Sequence, residues 1–415
     1  MTDIFIQQVR LIDPSQNRDQ RVDIYLSEGK IKDISSQLNI PDHVNIIDGE
    51  NLILGTGLVD LYSHSGETGH EERETLASLA ISAIAGGYTR LTILPDTFPN
   101  IDNPAQLSLL RQKCADYPKF SFWGNLTLGG KSEQMTELNE LASAGVVGFT
   151  DGSGLKNIPL LRRVLEYAQP LNKPVMLKPI DPTLVSNGIM REGSVSLRFG
   201  LPGIPEFCET VAINTILELV REFQTPVHLM NISTKRGVEL VAQAKSQNLP
   251  ITASTSWLHL TLNTEDLVNY NTNLRLNPPL GNPWDQLALK EGVKTGVIDA
   301  IAVDHTPYTY EEKTVAFGEA PSGAIGLELI LPLLWSNLVE TGEFSALELW
   351  QKLSQDPAIC LQQKPPSIVI GETAELVLFD PQKTWVVNQE NLHSLSYNTY
   401  WFNQEIKGKV IPLFS

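Results

Sequence analysis

The chain has 415 residues, 42% hydrophobic and 19% charged, which suits a large folded core with a smaller appended domain and excludes disorder. With 31 basic against 48 acidic residues the formal net charge is -17. That balance excludes the clustered Lys and Arg that nucleic acid or an anionic membrane requires, and solubility is the plain reading of the acidity.

The first fifty residues run as IFIQQVRLID, RVDIYLSEGKIKDI and HVNIID. Their period-two apolar spacing, broken at Pro14-Ser15 and Glu28-Gly29, predicts strands joined by turns. The pattern then changes to strand, loop, helix, repeated. Strand-like runs fall at NLILGTGLVD (51–60), TRLTILPD (89–96), FSFWGNL (120–126), GVVGFTD (145–151), PVMLK (174–178), PVHLMN (226–231), PITAS (250–254) and VIDAIAVD (297–304). Amphipathic stretches such as IPLLRRVLEYAQ and AINTILELVREF lie between them. Eight buried strands alternating with helices predict a (β/α)8 TIM barrel. The tail returns to short β-type runs, ELVLFD, TWVVN and GKVIPLFS. Residues 1–54 and 364–415 are therefore expected to form one composite β domain beside a barrel at 55–363.

In such a barrel the polar residues at strand C-termini are the site candidates. Here they are Asp60 to His64, Asp96, Asp151, Lys178, Asn231, Ser254 and the Asp304-His305 pair. Asp60, inside its strand end, reads as structural. His43, His70 and His393 lie away from strand ends and carry no signal. The Gly pairs at 86–87 and 129–130 mark turns, since no phosphate-loop context accompanies either. Cys114, Cys208 and Cys360 stand far apart without a CxxC and read as buried thiols of a reducing compartment. The start lacks a basic segment followed by an apolar run, and no stretch reaches the ~18 apolar residues of a membrane span. A cytoplasmic location is expected.

Several motifs resemble those of the dihydroorotases, a family of the amidohydrolase superfamily. In order they are GLVDLYSHSGETGHEERET, AGGYTRLTILPDTFPNIDNP, GVVGFTDGSG, REGSVSLRFGLPGIPE, HLMNISTKRGVELV, NPPLG, IAVDHTPYTYEEK, SGAIGLE and AELVLFDP. The resemblance covers nearly the whole chain. It implies a metal-dependent-hydrolase TIM barrel with a composite β domain, and an ancestral ring closure of carbamoyl-aspartate by zinc-activated hydroxide. The family pattern needs His-x-His after strand one, Asp after strand four, single His ligands on strands five and six, and Asp on strand eight. At the matching positions stand Tyr62 and His64, Asp151, Lys178, Asn231 and Asp304. Three imidazoles are thus replaced, and Asp304 is left as a remnant general base with nothing to activate. On the substrate side the family's carboxylate-binding Arg is Gly66, its Asn is Phe98 and its later His is Tyr308, while Asn277 and His305 match. By the same resemblance His228 and His259 read as core or rim histidines.

An ammonium at Lys178 about 4 Å from a divalent ion would repel it by on the order of 8 kcal/mol at an effective dielectric near 20. The expectation is no bound metal, with Lys178 charged and paired to Asp151, Asp304 or both. Three function classes follow. One is a non-catalytic dihydroorotase-like protein that self-associates and partners aspartate transcarbamoylase, as the resemblance implies for chains lacking the ligands. Another is an active dihydroorotase with a rebuilt, zinc-holding site, in which His64, Asp151 and Asp304 supply the ligands. The third is a small-molecule-binding module, with an apolar pocket around Phe98 and Tyr62. The first is the reading adopted.

Overall fold

The computed structural model describes residues 3–40, 43–114, 119–154 and 156–413. The head of the chain supplies β1 (Ile4–Asp13), β2 (Arg18–Ser27), β3 (Lys30–Ser35), β4 (Asn45–Asp48) and β5 (Ile53–Thr56). Glu28 and Gly29 both take left-handed backbone, φ 52° and 71°, and this turn closes the β2–β3 hairpin. Apolar residues on alternate positions of β1 and β2 point inward, so Ile4, Ile6, Leu11, Val22 and Ile24 pack with Leu54 and Leu378 into a core of their own.

The barrel strands follow: β6 (Leu58–Val59), β7 (Tyr88–Ile93), β8 (Lys119–Phe122) and β9 (Val175–Leu177). The two-residue strands β10 (Met190–Arg191) and β11 (Gly203–Ile204) pair with each other outside the barrel. Then come β12 (Val227–Leu229), β13 (Ile251–Ser256) and β14 (Ala300–Ala302). The chain ends in β15 (Leu376–Val386) and β16 (Glu405–Ile411), which join the head strands in the order β16-β15-β5-β1-β2-β3, with β4 on β1. Head and tail therefore share one seven-stranded sheet. The buried Asp13 ties them further, its Oδ2 accepting from the backbone N–H of Ile368 at 2.9 Å.

In the barrel, β6-β7-β8 form one parallel set and β9-β12-β13-β14 another. The fourth strand position joins them through Phe149, which bridges Gly124 on one side and Val175 on the other. His64 N–H donates to His305 C=O at 2.8 Å, linking the ends of the first and eighth strands. The interior is filled by Val59, Leu61, Leu94, Trp123, Met176, Met230 and Ala302, and by Cys360 and Leu361 from the segment that plugs the lower end. Polar N-caps begin the helices that follow the strands: Thr75 for Leu76–Ala85, Asn103 for Pro104–Lys113 and Thr234 for Lys235–Ser246. Among the described residues no helix is long and apolar enough to cross a membrane.

Two predicted strands differ in detail. NLILGTGLVD divides at Gly57, with β5 in the composite sheet and only β6 in the barrel. No side chain fits at Gly55, because a Cβ there would lie 2.1 Å from the Trp350 ring. GVVGFTD pairs on both flanks, but only at Phe149, so it is a bridge and not a regular strand.

Candidate functional site

At the C-terminal ends of the barrel strands lies an open cavity of about 340 Å³, whose walls include His64, Asp96, Lys178, Asn277, Asp304 and Tyr308. His64 Nδ1 lies 2.6 Å from Asp96 Oδ2, and its Nε2 lies 3.9 Å from Asp304 Oδ1. Burial opposes charge on this imidazole, but the Asp96 carboxylate outweighs it and raises the His64 pKa. The same pairing holds Asp96 below the usual carboxylate range against the opposing effect of its own burial.

Beneath the cavity runs a buried chain of hydrogen bonds. Tyr62 Oη donates to Asn231 Oδ1 at 2.8 Å, and Asn231 Nδ2 donates to Asp304 Oδ2 at 2.9 Å. Ser254 Oγ lies 3.0 Å from Tyr62 Oη, and His228 Nε2 lies 2.9 Å from Ser254 Oγ. Every partner is satisfied if His228 Nε2–H donates to Ser254, Ser254 to Tyr62, and Tyr62 to Asn231. Burial pushes His228 down to about 3 and the Tyr62 phenol well above its ordinary value, so both are neutral. Asn231 and Asp304 both have left-handed backbone, φ 55° and 52°, a conformation that Asn and Asp tolerate better than other side chains.

Several expectations need correction. Asp151 faces away from the cavity. Its Oδ1 accepts from Asn125 Nδ2 (3.2 Å), Leu126 N–H (2.9 Å) and Thr127 N–H (3.0 Å), and its Oδ2 from Thr127 Oγ1 (2.6 Å). It anchors a loop and is no partner of Lys178. Nor does Lys178 pair with Asp304: among the described residues its Nζ has no hydrogen bond or ion pair. Burial lowers the Lys178 pKa, outweighing the opposing pull of Asp304 and Asp96. Phe98 is 72% exposed and does not line the cavity, and Tyr62 is fully buried below it, so they enclose no apolar pocket. The His305 ring is also fully buried: Nδ1 accepts from Gly326 N–H, and Nε2 lies 3.4 Å from the Glu74 carboxylate.

Gly66 borders the cavity, but its own loop fills the space a side chain would take. A Cβ there would lie 2.3 Å from His70 C=O and 2.5 Å from Glu74 C=O. Asn277 and Tyr308 line the cavity, and Arg73 lies 4.9 Å from the Tyr308 ring centre while its guanidinium grips Glu312. His70, set aside as lying away from the strand ends, and Arg73, which the sequence did not single out, both line the cavity. Asp96 stood at a strand end, yet nothing in the sequence paired it with His64. The buried Asp60 is structural, raised to about 8 by burial and hydrogen-bonded to Ser63. His259 lines the cavity wall, and burial lowers it to about 4.

A family model described as Dihydro-orotase-like matches residues 51–237. A "probable dihydroorotase-like protein" of Synechocystis sp. is 43% identical, covering 97% of this chain and 98% of its own length. The dihydroorotase of Pelobacter propionicus is 36% identical, covering 98% and 97%. The chain belongs to the dihydroorotase-like family. Its fold is also that of the L-hydantoinase (dihydropyrimidinase) from Arthrobacter aurescens, with a TM-score of 0.85 over 99% of this chain and 94% of that one at 21% identity. This dihydroorotase-like protein therefore carries an amidohydrolase TIM barrel with a β domain, and its cavity lies where TIM-barrel enzymes place their chemistry.

Proposed function

We propose that this dihydroorotase-like protein works without the zinc centre of a metal-hydroxide hydrolase and serves as a non-catalytic partner of aspartate transcarbamoylase. The observation that carries the first half is the Tyr62–Asn231–Asp304 hydrogen-bond chain, which stands where the resemblance implies imidazole and carboxylate ligands. Zinc takes imidazole nitrogen or carboxylate oxygen at roughly 2.0–2.2 Å. A donating amide nitrogen and a neutral buried phenol are poor substitutes, and the amide also occupies one oxygen of Asp304. Asp151 is committed to its loop, and Lys178 brings an amine into the remaining space. The residues present do not fit the metal.

The second half rests on what the scaffold retains. A filled barrel and a composite sheet tied by Asp13 suit a protein whose surface is its working part. A stable assembly would bury at least ~1,000 Å². Purified protein supplied with excess zinc should bind it substoichiometrically and leave carbamoyl-aspartate unchanged. It should self-associate and co-purify with the aspartate transcarbamoylase of its own organism. One or two zinc ions per chain together with measurable ring closure would refute the first half. Two separate species at micromolar concentration, with the transcarbamoylase fully assembled and active alone, would refute the second.

A further inference from the structure

The metal-free reading leaves Lys178 without a task. Its Nζ borders the open cavity yet has no hydrogen bond or ion pair among the described residues. The two buried lysines among the described residues are committed: Lys313 donates to the carbonyls of Thr272 and Pro321, and Lys352 pairs with Asp356. Lys178 directly follows β9, whose three residues are all buried, so the amine is carried on a rigid barrel strand. Two features recommend it as a nucleophile: a place on the cavity wall and nearby groups that move protons.

We propose that Lys178 forms an imine with a small polar aldehyde bound in the barrel-mouth cavity. The Nζ lone pair attacks the carbonyl carbon, and the carbonyl π electrons pass to its oxygen, which takes a proton from the now cationic nitrogen. The carbinolamine then loses its hydroxyl as water while the nitrogen gives up its remaining proton. The balance is aldehyde plus amine to imine plus water, with no oxidant or reductant. His64, held by Asp96, and Asp304 line the same cavity and are the groups available to protonate the leaving hydroxyl and to take the nitrogen's proton. The groups that set the amine's charge are Asp304, Asp96, His64 and His259, and burial favours the neutral form that the attack needs. A cavity of about 340 Å³ lined by Ser65, Ser256, Asn277 and Thr306 suits a hydroxylated compound of a few carbons.

The test uses the full chain with glycolaldehyde and sodium cyanoborohydride near pH 6.5, followed by peptide mapping by mass spectrometry. Lys178 should be alkylated first, at least about tenfold faster than the exposed Lys364. Lys313 is the internal control, because burial pushes it to about 7 while its nitrogen stays tied to two carbonyls and lies off the cavity. Labelling that favours Lys313, or proceeds at Lys178 no faster than at the exposed Lys364, overturns the proposal. Lys178→Arg should abolish the cavity label without altering the circular dichroism spectrum. The inference goes beyond the scaffold reading and rests only on the metal-free half of the proposed function; absent labelling leaves both the zinc result and the transcarbamoylase result untouched.

Discussion

Asp151 accepts four hydrogen bonds from residues 125–127, two of them from backbone N–H groups that the loop cannot satisfy alone. Asp151→Ala should therefore destabilise the protein by about 3 kcal/mol, through the unpaired donors left behind. Urea unfolding that matches wild type to within about 0.5 kcal/mol would remove the anchoring role. The resemblance named this position, and the expectations for it were a lysine partner or a zinc ligand. Only the direction of the carboxylate decides, and a single residue's rotamer is not written in its neighbours. Tyr62 shows the same limit. Its replacement of an imidazole was legible, but not that its hydroxyl joins Ser254 to Asn231. Tyr62→His should therefore restore no ring closure of carbamoyl-aspartate, because Asn231 still holds Asp304 and Lys178 still faces the cavity. Turnover by this single variant would show the site to be closer to catalysis than its hydrogen bonds imply.

Elements were more legible than side-chain directions, because their signal repeats. Alternation in IFIQQVRLID and ELVLFD placed head and tail in β structure, and β1 and β15 both join one sheet through β5. The division of NLILGTGLVD was hidden, since a continuous apolar run looks alike whether it serves one sheet or two. The loop 66–74 was hidden for another reason: its fold depends on partners far along the chain. Glu74 is reached by Ser394 and by Leu395 N–H, and Ser396 Oγ donates to Arg73 C=O. This packing decides what Gly66→Arg would do. With His70 C=O and Glu74 C=O already occupying the Cβ position, the side chain would have to displace the loop. The variant should lose about 1–3 kcal/mol by overpacking and gain no affinity for a carboxylate ligand. Calorimetric titration with dihydroorotate that reveals tight binding by the variant alone would contradict this.

On the scale of the whole molecule, the two buried neutral histidines make stability depend on pH. Burial lowers His228 to about 3 and His259 to about 4, against roughly 6.5 in an unfolded chain. Between those values the unfolded state binds more protons than the folded one, so stability is lost as pH falls from about 6.5 toward 4. At pH 5 each ring should cost about 2 kcal/mol relative to neutral pH. His64 and His393, whose pKa values are raised beside Asp96 and Glu328, contribute with the opposite sign: their stabilisation is present below about 6.5 and fades as pH rises through the folded value. Both are partly exposed and screened by solvent, but the buried Asp60, raised to about 8, also opposes the two rings, because its folded carboxyl keeps a proton that the unfolded one has lost across this range. Urea unfolding of wild type and His228→Gln from pH 7.5 to pH 5 isolates the share of one ring. His228→Gln removes one of the titrations but also the hydrogen bonds to Thr252 and Ser254, so it should be the weaker protein at pH 7.5. The gap should then close by about 2 kcal/mol by pH 5, because wild type alone bears the cost of holding that ring neutral. Parallel curves for the two proteins would mean that His228 is not what links folding to pH.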